Sequence, residues 1–188
     1  MTLPNAALPV DRPTPPTFAV PDGACDTHVH MVANAEAFPL WEGRVENPAP
    51  GPTFYDWLAL FDRHLTALGM ARTVFVHSIL YGGDNSVTIE AVRHFGDRAR
   101  GVGLLPDGAE DADIEHLARA GMCALRLIYV HGGILTWEGA KAMAPALAAR
   151  GMHLQMLAHA DRHLQELADD VRALPCPVVF DHCGWPAE

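Results

Sequence analysis

Two hydrophobic patterns alternate along this chain, and this alternation constrains the fold more than any other feature. Short apolar runs rich in β-branched residues occur at 72–78, 99–105, 123–129, 153–158 and 177–183. Longer segments with apolar residues three or four positions apart occur at 53–69, 85–96, 111–121, 136–151 and 160–174. The first pattern is typical of buried strands and the second of amphipathic helices. The sequence therefore predicts strands that alternate with helices.

The order of these elements predicts a parallel sheet. Four glycines follow the helical patterns at positions where helices commonly end: Gly69, Gly96, Gly121 and Gly151. With residues 23–30 as a first strand, the chain contains six predicted strands and five predicted helices. Successive strands joined through helices run parallel by right-handed crossovers. A doubly wound sheet and a (β/α)8 barrel both satisfy this order.

Polar side chains at the carboxyl ends of the predicted strands favour the barrel. They are His28, His30, His77, Ser78, Arg126, Tyr129, His159, Asp181 and His182. A closed barrel brings all its strand ends to one rim, whereas an open sheet spreads them along an edge. We therefore predict an α/β fold of the (β/α)8 TIM-barrel type. A complete barrel needs about 200 to 250 residues, and these 188 residues supply only about six βα units.

Proline sets the first part of the chain apart from this repeat. Six of the first 22 residues are proline, which lacks a backbone donor and favours extended backbone. We predict that residues 1–22 form an arm and residues 23–188 form the barrel-like domain, truncated after strand six. Strands one and six would then have unpaired edges, which favours association into a homo-oligomer.

Charge and composition argue against several classes of function. The formal net charge is -10, and no cluster of Lys and Arg is available to neutralise nucleic-acid phosphates. The sequence has no run of 18 apolar residues and no basic segment leading into an apolar one at its N-terminus. Its four cysteines lack CxxC spacing, so they indicate free thiols. We expect a cytoplasmic protein without nucleic-acid or membrane partners.

The segment CDTHVH places a carboxylate and two imidazoles at alternating positions. Asp26, His28 and His30 share one face if this segment is a strand. Burying two imidazoles is costly without partners. A metal ion or a substrate carbonyl is one explanation, and hydrogen-bonded core histidines are the other. Asp26 either orients one of the rings or makes a local turn contact.

The segment FDHCGWP ends the last predicted strand with Asp181 and His182. On one rim, His182 would join His28 and His30, and three imidazoles suit one zinc ion with an open position for water. They equally suit a carboxylate or a developing oxyanion. The alternative is that the Asp-His pair only caps the following segment. Strand alternation predicts that Asp181 points to the face opposite His182.

Three other residues are candidates for substrate binding. Arg126 lies in an apolar strand, where it would clamp a substrate carboxylate or pair with an acid from a neighbouring strand. Ser78 ends the second predicted strand, and Tyr81 follows it at a place where it would line the mouth of the barrel. His159 is a candidate further ligand, although a position at a helix start is the favoured interpretation.

The ordered set of motifs resembles the amidohydrolase superfamily. In particular, it is similar to the amidohydrolase-related group that includes 2-pyrone-4,6-dicarboxylate and sugar-acid lactonases. The resemblance covers about residues 23–186 and rests on CDTHVHM, YGGDN, RARGVGLL, AGMCALRL, ARGMHLQ and PCPVVFDHCGWP. It implies a (β/α)8 barrel that hydrolyses an ester or lactone bond of a small carboxylic acid. His28, His30 and His182 would surround the substrate carbonyl, and Arg126 would bind a carboxylate.

The resemblance leaves the cofactor open. Some members of the group hold a divalent ion, zinc being our first expectation, and others are metal-free. It also implies that an aspartate at the end of strand eight activates water, and this sequence contains no counterpart after its sixth strand. Leu157 stands where the pyrone lactonases have a tyrosine, so other lactones are equally expected substrates.

Two other functions stay open from the sequence. One is a metal-dependent decarboxylase of an aromatic or unsaturated acid, which shares the HxH motif and the barrel. The other is an inactive truncated barrel or a protein that only binds a small acid.

Overall fold

The predicted alternation of strands and helices is present in the structure, a computed structural model that describes residues 3–33 and 35–186. The strands are β1 (Cys25–Val29), β2 (Arg72–Val76), β3 (Ala99–Gly103), β4 (Met122–Ile128), β5 (His153–Leu157) and β6 (Val178–Phe180). The helices are α1 (Phe54–Leu68), α2 (Ser86–Phe95), α3 (Asp111–Arg119), α4 (Trp137–Ala149) and α5 (Ala160–Ala173). Among the described residues, no helix is both long and apolar enough to cross a membrane.

The strands are hydrogen-bonded in chain order, from β1 to β6, in one six-stranded sheet. Parallel pairing joins β1 to β2, β4 to β5 and β5 to β6. This arrangement of six parallel strands with five helices between them confirms the predicted α/β class of the TIM-barrel type. By its internal contacts the chain divides into two compact units, residues 1–101 and residues 102–188.

In the first unit, aromatic side chains join α1, β2 and α2. The ring of Phe75 in β2 lies 5.5 Å from that of Phe61 in α1 and 5.3 Å from that of Phe95 in α2. Phe75 is fully buried. Aromatic pairs at these distances contribute about 0.5–1.5 kcal/mol beyond their buried area. The helices are thereby held against β2, the strand that leads to Ser78.

In the second unit, the middle of β4 and of β5 is apolar except for one polar pair. Arg126 of β4 lies beside Gln155 of β5, which in turn lies beside Val179 of β6. The flanking residues are leucine and methionine, all buried, as expected for strands covered on both faces. The two polar side chains therefore share one level of the sheet.

The predicted arm forms no helix and no strand over residues 3–22, except for one isolated bridge from Asn5 to Asn47. Around this bridge Ala6 donates its backbone N–H to Asn47, and Asn47 donates its own to Pro4, both at 2.8 Å. The arm is thus fastened to the first unit. The domain limits stay a prediction, and their outer ends, residues 1, 2, 187 and 188, lie outside the described residues.

We predict that the cap of α1 contributes measurably to stability. Thr53 accepts a hydrogen bond from the Asp56 backbone at 3.2 Å, and the Asp56 carboxylate accepts one from the Thr53 backbone at 2.8 Å. Thr53→Ala should lower the free energy of unfolding by about 1 kcal/mol, because backbone donors of the first turn lose their acceptor. Urea denaturation measures this. Thr17→Ala, in the exposed arm, is the control and should leave the midpoint unchanged; equal midpoints for both variants would contradict the capping role.

Candidate functional site

Two histidines lie at the carboxyl end of β1. The ring centroids of His28 and His30 are 5.0 Å apart, with the rings nearly perpendicular at 81°. The register of β1 against β2 shifts between Asp26 and Val29, so β1 does not alternate regularly here. Asp26 accepts a hydrogen bond from the His28 backbone N–H at 3.2 Å. Asp26 therefore makes the local turn contact, which is one of the two roles predicted for it.

A backbone carbonyl of β2 fixes the ring of His30. The Nδ1 atom of His30 lies 2.7 Å from the carbonyl oxygen of Val76. A carbonyl can only accept, so Nδ1 carries the hydrogen. In the neutral ring the lone pair is then on Nε2. This is the tautomer that binds a metal ion or takes up a proton through Nε2.

Ser78 lies next to His30 on the wall of a cavity. This cavity is lined by residues of the first unit and has a volume of about 310 Å³. Ser78 is also the cap of the short 3-10 turn Ile79–Tyr81, where its hydroxyl accepts a hydrogen bond from Leu80 at 3.3 Å. The structure thus brings the predicted residues His30 and Ser78 to one cavity.

Tyr81 is held by the chain that follows β1. Its buried hydroxyl accepts a hydrogen bond from the Ala33 N–H at 2.6 Å and donates one to the Ala33 carbonyl at 3.0 Å. Burial raises the pKa of Tyr81, and the hydrogen bond with Ala33 opposes this shift. Because the one hydroxyl hydrogen is used, a substrate that needed Tyr81 as a donor would have to displace the Ala33 carbonyl. The predicted role of Tyr81 in substrate binding stays a prediction.

His77 has a structural environment. It is fully buried. Its Nε2 donates to the Gly82 carbonyl at 2.9 Å, so its Nδ1 accepts from the Thr88 hydroxyl, also at 2.9 Å. Both nitrogens are therefore used to connect β2 with the loop and helix that follow it.

In the second unit, a buried polar cluster surrounds Asp181. Arg126 Nη2 lies 3.2 Å from one Asp181 oxygen, and Gln155 donates to the other oxygen at 2.6 Å. All three residues are at most 5% exposed. Burial lowers the pKa of Arg126, and the adjacent Asp181 carboxylate opposes this shift. The ion-pair alternative for Arg126 is therefore present, with an acid from the end of β6 as its partner. Its predicted role in substrate binding stays a prediction.

The predicted orientation of Asp181 was wrong. The last strand was expected to continue through residue 183, which would point Asp181 and His182 to opposite faces. Instead β6 ends at Phe180, and residues Asp181–Gly184 form a turn. His182 has a φ of 53°, a left-handed conformation that breaks strand alternation. The chain turns immediately after Asp181, which faces Arg126 and Gln155.

His182 and His159 lie close to Trp185. The Trp185 ring centroid is 6.3 Å from that of His182 and 5.0 Å from that of His159. His159 Nδ1 donates to the Trp185 carbonyl at 2.7 Å, and His159 is the residue immediately before α5. The favoured position of His159 at a helix start is therefore confirmed.

Gln155 is a residue that the sequence interpretation missed. It is an amide in the middle of the apolar run HLQML, and a buried amide needs a hydrogen-bonding partner. The same criterion that drew attention to Arg126 in ALRLI applies to it. Gln155 and Arg126 both contact Asp181. A polar residue within an apolar run, in each of two neighbouring strands, was therefore the sequence feature that could have identified this cluster.

Comparison with known proteins supports the family resemblance predicted from the sequence motifs. Residues 25–188 match the family described as Amidohydrolase. The chain is 32% identical over 177 residues to 2-pyrone-4,6-dicarboxylate hydrolase of Comamonas testosteroni, covering 93% of this chain and 56% of the relative. It is also 32% identical over 185 residues to 4-sulfomuconolactone hydrolase of Rhizobium radiobacter, covering 97% and 60%. The chain thus spans somewhat more than half the length of these curated relatives.

A solved structure supports the fold. The crystal structure of a probable 2-pyrone-4,6-dicarboxylic acid hydrolase from Acinetobacter baumannii superposes with a TM-score of 0.73 and 18% sequence identity. The match covers 86% of this chain and 59% of that chain. At this identity the similarity concerns the fold, and it agrees with the βα repeat described above.

We predict that Asp181 is required for the stability of the second unit. Asp181→Ala leaves the Arg126 charge buried without its carboxylate, which should reduce the free energy of unfolding by about 3–5 kcal/mol. The double variant Arg126→Met/Asp181→Leu removes both charges and should recover most of this loss.

Urea denaturation of the three proteins provides the measurement. Asp169→Ala is the matched control, since its carboxylate is 99% exposed in its pair with Arg172 and exposed pairs contribute little. A double variant as unstable as Asp181→Ala would contradict the ion-pair explanation.

Proposed function

The chain belongs to the amidohydrolase family, and on this premise we propose that it binds and polarises the carbonyl of a small carboxylated lactone for hydrolysis. The observation that carries the proposal is the His28–His30 pair, with the ring of His30 fixed by Val76. The names of both curated relatives supply the reaction class, because each is a hydrolase of a cyclic ester. Since the chain spans only part of their length, the activity itself is part of the proposal.

We propose that His28, His30 and His182 act on the same carbonyl group. The support is their sequence position: His28 and His30 lie at the end of the first strand and His182 follows the sixth, as in the family that the sequence resembles. In barrels of this type the catalytic residues come from the ends of several strands. As water adds to the carbonyl carbon, negative charge develops on the carbonyl oxygen. Stabilising that charge is usually the largest single contribution that an active site makes to the rate.

The tautomer of His30 favours a metal-dependent form of this site. With its hydrogen on Nδ1, neutral His30 has only a lone pair at Nε2 and cannot donate to a carbonyl oxygen from there. Three imidazoles suit zinc, so we propose His28, His30 and His182 as the residues that would hold it. A bound divalent ion would supply Lewis acidity and lower the pKa of water. The carbonyl of Val76 would orient His30 for this role.

Arg126 is proposed to bind a carboxylate of the substrate. It contacts Asp181 through Nε and Nη2, both toward a single oxygen. Asp181, which also accepts a hydrogen bond from Gln155, orients the guanidinium, and a planar guanidinium suits a carboxylate better than an ammonium does. The names of both relatives describe anionic substrates, a dicarboxylate and a sulfonated lactone. Neutral lactones should therefore be poorer substrates than carboxylated ones.

The remaining steps follow from the chemistry of ester hydrolysis. A general base takes a proton from water, the water oxygen bonds to the carbonyl carbon, and the bond from that carbon to the ring oxygen breaks. The ring oxygen leaves as an alcohol or enol after taking up a proton. We assign the base to the aspartate of strand eight that the family resemblance implies, a residue outside this sequence.

The cysteines support a reducing, cytoplasmic setting for this reaction. Cys25, Cys176 and Cys183 are free cysteines in the structure. Burial raises the pKa of Cys25 and Cys176, which favours the unreactive thiol form. We include this location in the proposal.

We predict that His182→Ala lowers kcat/KM for a carboxylated lactone by about 10²–10³-fold, the usual effect of losing one group that stabilises the oxyanion. The measurement is proton release in a pH-stat, with the protein in the length that its native source produces. His116→Ala, on the exposed face of α3, is the matched control. Activity within a few-fold of the control would contradict the role of His182, and release of carbon dioxide in place of acid would indicate a decarboxylase.

We further predict that removal of divalent ions abolishes lactone opening and that added zinc restores it. Zinc content of the purified protein and of His30→Ala, measured by atomic emission, gives a readout that does not depend on turnover. Full activity after chelation, with no zinc in either protein, would contradict the metal-dependent site. Protonated imidazoles that donate directly to the carbonyl oxygen would then be the favoured mechanism.

A further inference from the structure

The cavity beside His30 is predominantly apolar. Its lining includes Met31, Trp57, Phe61 and Leu80, contributed by the chain after β1, by α1 and by the turn after β2. At about 310 Å³ it lies near the lower end of the about 300–1,000 Å³ typical of ligand sites. The cavity is open to solvent on one side, and apolar surface in contact with water is unfavourable. An apolar group of a ligand in the cavity would remove this surface from water.

The charges around the cavity exclude the anionic end of a substrate. Among the described residues that line it, none is Lys or Arg, and the one acid is Glu46. A carboxylate placed here would find no cation and would be repelled by Glu46. The polar groups His30 and Ser78 lie on the wall, together with His64, whose Nε2 donates to the Val10 carbonyl at 2.7 Å. The lining therefore suits a hydrocarbon group.

One wall of the cavity is the proline-rich arm. Ala6, Ala7 and Pro9 line it, and the arm is fastened on both sides of these residues. Asn47 holds it at Pro4 and Ala6, and His64 holds it at Val10. Arg63 adds an ion pair to Asp11 at 3.2 Å. The small side chains at positions 6 and 7 leave room that larger ones would occupy.

We infer that this cavity binds a hydrocarbon substituent on the lactone ring, a chain of a few carbon atoms, and that the arm sets its permitted length. His30 belongs both to the cavity wall and to the proposed carbonyl site, so the substituent would extend from the ring into the cavity. The inference rests on the proposed lactone hydrolysis for the identity of the ring. It defines the substrate as a lactone with an anionic group at one end and an apolar chain at the other.

Binding of ketone analogues tests this inference separately from turnover. The probes are 3-methylcyclopentanone and 3-pentylcyclopentanone, which keep the ring and carbonyl of a γ-lactone but contain no ester bond. Isothermal titration calorimetry should give a Kd about tenfold or more lower for the pentyl compound, since each buried methylene contributes about 0.8 kcal/mol. Equal affinities would overturn the inference.

Two substitutions in the arm form a matched pair. Ala7→Phe fills the cavity and should abolish the preference for the pentyl compound. Leu8→Phe adds a ring at the next position, where Leu8 is 62% exposed and does not belong to the described cavity lining, and should keep the preference. A pentyl preference that survives Ala7→Phe would overturn the role of the arm.

An enlarged cavity provides a second test that does not depend on the arm. Leu60→Ala removes side-chain volume from the α1 wall, and the tightest-binding ketone should then carry a longer chain than in the original protein. An unchanged optimum would overturn the inference. If the pentyl compound binds more tightly but no lactone is opened, the proposed hydrolysis is wrong and the inference about the hydrocarbon-binding cavity stands. Failure of the proposed function can therefore be distinguished from failure of this inference.

Discussion

A parallel strand cannot be joined to its neighbour by a tight turn, and the whole architecture depends on this constraint. The chain must cross back over the sheet before each new strand, and a helix is the compact way to do so. Every strand then starts at the same end of the sheet and finishes at the other. Because loops follow the strand ends, polar side chains such as His30, Ser78 and His182 follow the strands, and the strands themselves are mostly apolar, with Arg126 and Gln155 as buried exceptions.

Backbone carbonyls and buried partners orient the polar groups that the strands carry. Val76 selects the tautomer of His30, and the Asp181 carboxylate pairs with the buried Arg126 guanidinium. These contacts restrict the orientations of the His30 ring and of the Arg126 guanidinium. A ring or guanidinium that is already oriented loses less freedom when it binds a ligand. The arm performs a related task, because its small residues shape a cavity that the βα repeat alone would leave open.

The repeat was predictable because both of its patterns are local. All six strands and five helices were expected, with ends that differ from the structure by a few residues. The exception with consequences is β6, where the predicted strand included Asp181 and His182. The positive φ at His182 and Cys183 is unusual for residues other than glycine. The residue types at these two positions therefore did not predict a turn there. The face that Asp181 occupies followed from the turn and could not be derived from alternation.

The sequence by itself determined the order of strands and helices, the family, and the residue types that could take part in catalysis. These depend on hydrophobic periodicity and on motifs, which are properties of neighbouring positions. Only the tertiary structure decided which hydrogen bonds those residues make. It paired Arg126 with the acid that follows β6, paired Tyr81 with the backbone of Ala33, and placed the arm on a cavity beside His30. Such pairings join positions far apart in the chain, and their choice depends on the packing of every element between them.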